Sequence, residues 1–240
     1  MRDFMRRWFH PLAALSLLIV AAIGFQAFYL RGNAMNDRMI APPMMPYVIV
    51  HASALTGWLL LSIIQPLLIS VRRRAVHRVV GWCGAVLALL IATSGATIAL
   101  RSAAMIADVP FAGMPYRGYL LTMLAQIAAF AGFVTAGILT RRQAWRHRAM
   151  MLLATLAVIP GATIRTPALY AWFGSGGLPG IFGPVFVLGG VLVLTLAWVD
   201  RRFDRWLTGG YLAMLAFFTL ATAFATSAAW LDFTRTVLGI

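Results

Sequence analysis

The segment YVIVHASALTGWLLLSIIQPLLISV, Tyr47–Val71, contains no charged side chain and is followed at once by Arg72, Arg73 and Arg74. A bilayer hydrocarbon core about 30 Å thick needs roughly 20 apolar residues in a helix, so this run is long enough to cross one. Six more stretches of similar character lie to either side. The spans read as about 12–30, 47–71, 79–100, 117–139, 149–171, 181–199 and 208–230, joined by short connections that leave no room for a separate soluble domain. The expected fold is all-α: a polytopic transmembrane bundle of seven helices, with residues 1–240 forming one integral membrane domain.

Composition agrees with this reading. Hydrophobic residues make up 62% of the chain, against roughly 45–50% in soluble domains. The formal charge of +14 does not point to nucleic acid, because each basic cluster borders an apolar run instead of lining one soluble face. The clusters set an orientation. Arg2, Arg6, Arg7, then Arg72, Arg73, Arg74, Arg78, then Arg141, Arg142, Arg146, Arg148, and last Arg201, Arg202, Arg205 fall on the N-terminal side. The other side carries Arg31, Arg38, Arg101, Arg117 and Arg235, with Arg165 inside a span. Positive charge stays cytoplasmic, which puts the N-terminus inside and the C-terminus outside. The start, MRDFMRRWFHPLAALSLLIVAAIGF, has the charged head and apolar middle of a signal peptide, but its apolar run continues to Tyr29 without a small-x-small cleavage site, and it reads as a retained first helix.

Absences narrow the chemistry. The chain has no lysine, so it cannot form a retinal or pyridoxal Schiff base. It has no glutamate, and Asp3, Asp37, Asp108, Asp200, Asp204 and Asp232 read as helix-end or loop residues, which leaves no buried carboxylate pair for acid–base work. Cys83 is the single cysteine, so an intramolecular disulfide, an iron–sulfur cluster and a multi-cysteine zinc site are excluded. No catalytic residue is assigned, and whether the chain is an enzyme stays open.

Polar groups within spans are costly, about 2.5–3.5 kcal/mol for a charge on insertion scales, and by default mark function. Arg165 lies between Pro160–Gly161 and Pro167, where the helix is expected to bend or unwind. His51 heads a helical stripe with Leu55, Trp58, Ser62 and Gln65, which with Gln126 of the fourth span either lines a cavity or forms interhelical hydrogen bonds. His77 and His147 each follow an arginine cluster and open spans that rise from the same side, so they share a depth. Two axial ligands of one haem need that, with neighbouring arginines for the propionates; interfacial histidines need nothing more than headgroups. His10 is the one candidate for a third metal ligand and belongs to the start of the chain. Small residues at helical spacing, Ala88, Ala92, Gly95 and Ala99, then Ala125, Ala129, Gly132 and Ala136, mark faces expected to pack closely. GSGGLPG, Gly174–Gly180, reads as a tight turn.

Over about residues 47–170 the chain resembles an uncharacterised family of predicted bacterial multi-pass membrane proteins. The likeness rests on HASALTGWLLLSIIQ, His51–Gln65, on His77–Arg78, and on HRAMMLLATLAVIPGATIR, His147–Arg165. Two features depart from that pattern: no Gly-Pro precedes Gln65, and no tryptophan follows His147–Arg148. The family brings no activity; it implies a bacterial inner-membrane location and supports the choice of His51, Gln65, His77, His147 and Arg165. The His77–His147 pair is also similar to one haem pair of the cytochrome b561 group, whose second pair is lacking here. GATIALR (Gly95–Arg101) and GATIRTP (Gly161–Pro167) echo one another and suggest two related helix pairs.

Three functional classes fit these residues. The leading expectation is a non-catalytic membrane subunit or assembly partner, binding another membrane protein and, at its cytoplasmic arginines, anionic lipid headgroups. The alternatives are a quinone-linked redox protein with haem b on His77 and His147, and a solute carrier or ligand sensor built on His51 and Arg165 with Gln65 and Gln126.

Overall fold

A computed structural model of the chain describes residues 2–33 and 40–239, with only the backbone given for Arg2 and Asp3. The expected placements of Asp37 and Arg38, and of the Arg2 and Asp3 side chains, lie outside the described residues. The long elements are α1 (Arg2–Arg31), α2 (Met45–Ser70), α3 (Arg74–Ile106), α4 (Tyr116–Leu139), α5 (Ala144–Ala157), α8 (Gly177–Asp200) and α9 (Arg205–Ala225). Shorter ones are α6 (Pro160–Thr163), α7 (Tyr170–Phe173) and α10 (Ala228–Thr236). A hairpin of β1 (Pro110–Phe111) and β2 (Met114–Pro115) joins α3 to α4. Its two turn residues, Ala112 at φ 51° and Gly113 at φ 79°, both take positive φ, as a two-residue hairpin turn of the right twist requires.

Among the described residues six helices are long and apolar enough to cross a membrane, or seven if the bent pair Ala144–Thr163 and Pro167–Phe173 is one span. That pair is the fifth span of the sequence, and it is broken: its two limbs meet at 93°. Pro160 cannot donate to the helix ladder and Pro167 disfavours helical geometry at Thr166. The last span also differs. It stops at Ala225, and a separate helix α10 starts on Ser227, whose hydroxyl caps the Trp230 amide at 3.2 Å; Asp232 therefore lies inside a helix and not in a loop.

The helices form one packed array in which α2 lies along α3, α3 along α4, α4 along α5 and α9, and α8 along α9, with α1 against α2, α5, α6 and α8. Leu17, Trp58, Phe130, Leu153, Ile159, Phe182 and Phe218 belong to its core. The rings of Trp58 and Phe130 meet edge-on at 5.0 Å, and those of Phe182 and Phe218 stack at 4.3 Å, geometries that aromatic quadrupoles favour. Outward-facing Leu139 and Val79, 74% and 70% exposed, would be an aggregation liability in water and are ordinary against hydrocarbon.

The start of α1 and three connections meet at one end. Arg6 Nε pairs with Asp200 at 3.0 Å, Arg7 Nη2 donates to the Ser70 carbonyl at 2.7 Å, and Ser70 Oγ returns a bond to the Arg7 carbonyl at 3.1 Å. Trp145 and Trp206 meet at 5.5 Å. The N-terminal arginines and those of the α2–α3, α4–α5 and α8–α9 connections therefore share this end. Arg72 and Arg201 take positive φ, 63° and 58°, closing α2 and α8 where glycine is usual. The opposite end is tied by Arg117 to Asp108, by Trp230 Nε1 donating to the Arg117 carbonyl at 2.9 Å, and by Gly177 N donating to the Ala112 carbonyl at 2.8 Å.

Candidate functional site

His77 and His147 each occupy the fourth residue of a helix, α3 and α5, and each main-chain N–H bonds the residue before that helix, Arg73 and Gln143, at 3.0 Å. Each ring then reaches back across its hairpin. His147 Nδ1 lies 2.8 Å from the Gly137 carbonyl, in the last turn of α4, where helix carbonyls lack partners of their own. His77 Nδ1 lies 3.3 Å from the Gln65 carbonyl of α2. A proton on Nδ1 held by a carbonyl leaves the lone pair on Nε2, the arrangement found behind metal-bound histidines.

The two hairpins bring these rings together. Their centroids are 6.2 Å apart and their planes cross at 89°. Two imidazoles joined by a direct N–H···N bond would have centres about 5 Å apart. A metal ion in tetrahedral geometry would also set them about 5 Å apart, whereas two nitrogens bound on opposite sides of one metal, each about 2.0–2.1 Å away, give about 6 Å. The observed spacing is closest to the last case, and it also lies in the range of an ordinary edge-to-face ring contact. Both rings are partly buried, and the Arg78 and Arg148 that follow them are exposed.

Gln65 is the third member of this cluster. Its Nε2 donates to the His77 carbonyl at 3.2 Å and its Oε1 accepts from Gly81 N at 2.9 Å, so the amide bridges two groups of one α3 turn. The same Nε2 abuts His77 Nδ1. Gln65 thus makes two opposite demands on that nitrogen: its main-chain carbonyl accepts a proton, and its side chain offers one. The position of the amide selects the His77 tautomer.

The remaining residues named from the sequence do not join this cluster. His51 Nδ1 lies 3.0 Å from Ser94 Oγ, whose own hydrogen goes to the Leu90 carbonyl, so the imidazole is the donor. Within its stripe, Leu55 and Trp58 are buried, and Trp58 Nε1 donates to Thr155 Oγ1 of α5 at 3.2 Å. Gln126 is buried but bonds the Thr122 carbonyl of its own helix at 3.2 Å, so it does not pair with the His51 stripe. Arg165 is exposed in the break after α6, bonded to the Gly161 carbonyl, its guanidinium 5.1 Å from the Phe25 ring centre. A groove of about 400 Å³ between α1 and α2 is lined by Phe25, Tyr29, Leu55 and Thr56, and neither His51 nor Arg165 lines it. His10 sits within α1, edge-on to Phe9 at 5.1 Å, and the described residues hold no group of three metal-ligating side chains.

The sequence reading missed Arg117, read only as one of the arginines on the opposite side and in fact buried with Asp108 as its partner. The β-turn that folds residues 110–115 back on themselves brings those two charges together, and spacing alone gave no sign of it. Comparison with family models, with curated proteins and with solved structures finds no match.

Proposed function

We propose that this chain is a membrane haem protein, with one b-type haem held between His77 and His147 at the arginine-rich end, and with that end facing the cytoplasm. The observation that carries the reading is the 6.2 Å separation of the two rings, a distance that one metal held by both imidazoles would span. The carbonyl contact at His147 Nδ1 supports it, since it orients that ring and leaves its Nε2 lone pair free, whereas at His77 the Gln65 carbonyl and amide compete for Nδ1. Ligation at His77 requires the Gln65 amide to turn from Nδ1 while the Gln65 carbonyl keeps the proton. Arg78 and Arg148 are the cations for the propionates, and bidentate guanidinium–carboxylate pairing suits that task. A bis-imidazole haem supplies one-electron redox chemistry when bound. The chain's own part is to fix two ligands on two separate hairpins and to enclose them between helix ends. The orientation follows from the arginine asymmetry, and the bent fifth segment then counts as a span, which makes seven.

The test is the visible spectrum of the full-length protein purified from cells supplied with haem, and again after haem titration of the purified chain. A reduced Soret band and a sharp alpha band are expected. His77→Ala and His147→Ala should each lose the alpha band and bind haem at least tenfold more weakly, the lower end of the loss of about 10–100-fold for a ligand-supporting change. His51→Ala should keep both bands. A wild-type protein that takes up no haem, or a His77→Ala spectrum identical to wild type, would end this reading.

A further inference from the structure

A second site stands apart from the histidines, where the start of α5 meets the start of α9. Two indoles, Trp145 and Trp206, lie 5.5 Å apart. The Arg146 guanidinium carbon is 4.0 Å from the Trp206 ring centre and 4.9 Å from that of Trp145. Arg205 sits 5.0 Å from Trp145 and 5.5 Å from Trp206. Both cations therefore lie against the same two rings, within cation–π range of each.

Among the described residues no ion pair answers Arg146 or Arg205, although Asp204, beside Arg205 in sequence, keeps its negative charge while it caps α9. Of the nearby carboxylates, Asp200 is taken by Arg6, and Asp204 caps α9, accepting from the Trp206 and Leu207 amides at 2.9 and 3.0 Å. The donors are also unmatched: Arg146 Nε and Trp206 Nε1 are buried and have no hydrogen-bond partner. Burying an indole N–H and a guanidinium N–H unpaired costs free energy that folded proteins normally avoid. A half-buried guanidinium and an exposed one, beside two orphaned donors, are the donor set of an anion site. The planar guanidinium fork matches phosphate oxygens, and an indole N–H adds a third direction. Phe203, on the α8–α9 connection, and Trp198, in the last turn of α8, are exposed at the same end, 61% and 56% accessible, and aromatic side chains of this kind are common at membrane–water interfaces.

We infer that Arg146, Arg205, Trp145 and Trp206 form a specific site for the phosphate of an anionic phospholipid headgroup, which joins the α4–α5 hairpin to the α8–α9 hairpin. The site does not depend on haem.

Native mass spectrometry of the full-length protein in detergent, with phosphatidylglycerol, phosphatidylcholine or inorganic phosphate added, tests it. One phosphatidylglycerol per chain should be retained, and phosphatidylcholine should not. The double change Arg146→Gln, Arg205→Gln should lower retention about tenfold or more, as loss of charge-assisted bonds implies. Arg146→Lys with Arg205→Lys should also stay well below wild type, since an ammonium neither stacks nor binds in a fork. Trp206→Phe keeps the ring and deletes the N–H, so it should reduce retention with circular dichroism unchanged, which guards against misfolding of the double variant. Arg141→Gln with Arg142→Gln should leave retention within about twofold, because exposed charges act weakly. Equal retention by wild type and the Arg146/Arg205 double variant, equal loss in the Arg141/Arg142 variant, or stabilisation by inorganic phosphate as strong as by phosphatidylglycerol overturns the assignment.

Discussion

At the scale of single residues, the two histidines carry the account because their surroundings are the same twice over. Each is one turn into a helix, each is preceded by arginines, and each turns Nδ1 toward a carbonyl on the preceding helix. The sequence makes their shared depth readable through the arginine clusters and the apolar runs. Their approach to 6.2 Å is not readable there, since it depends on how two hairpins pack. Gln126 illustrates the opposite failure: an amide at the right depth for an interhelical bond satisfies itself on its own helix. The crossed ring planes give a further prediction. If haem were held by His77 and His147 with the crossed ring planes seen here, 89°, the oxidised protein would give a strongly anisotropic low-spin resonance with one dominant low-field feature. Electron paramagnetic resonance of the frozen oxidised protein checks this, and a well-resolved rhombic signal would mean that the rings are parallel.

At the scale of elements, apolar length identified the spans well and proline placement identified the weak point in the fifth. The turn of the chain through 93° after α6 and the separate α10 were beyond it, because both arise where short segments find tertiary partners. Small-residue spacing was informative on α3, where Ala88, Gly95 and Ala99 are buried, and on α4 for Ala125, Ala129 and Ala136, which are buried or pack against the core, but not for Gly132, which is exposed with open space around it. The tightest crossing lies elsewhere. A Cβ on Gly24 of α1 would collide with the Ala162 backbone of α6, so α1 and the broken span approach there only because the residue is glycine. Gly24→Val should destabilise the protein by about 1–3 kcal/mol, the usual cost of overpacking, while Gly132→Ala should change stability by no more than about 0.5 kcal/mol. Unfolding of both variants in mixed micelles measures the difference, and equal stabilities would show that the α1–α6 contact is loose.

At the scale of the whole molecule, charge asymmetry and packing point to the same arrangement. Arginines that alternate along the sequence are collected at one end by Arg6–Asp200, Arg7–Ser70 and Trp145–Trp206, and the imidazole pair lies among them. The sequence alone favoured a membrane subunit without chemistry of its own, since nothing in it tells whether two histidines at equal depth are neighbours. Their proximity in the fold shifts the balance toward haem. That shift requires the α2–α3 and α4–α5 turns to lie on the same face, and the proposed orientation makes that face cytoplasmic. Single cysteines introduced in a Cys83→Ser background at Arg73, Arg142 and Ser175 address this directly, using a membrane-impermeant maleimide on intact cells. Position 175 should label at once, and positions 73 and 142 only after permeabilisation. Labelling of 73 and 142 from opposite sides of the membrane would contradict the account.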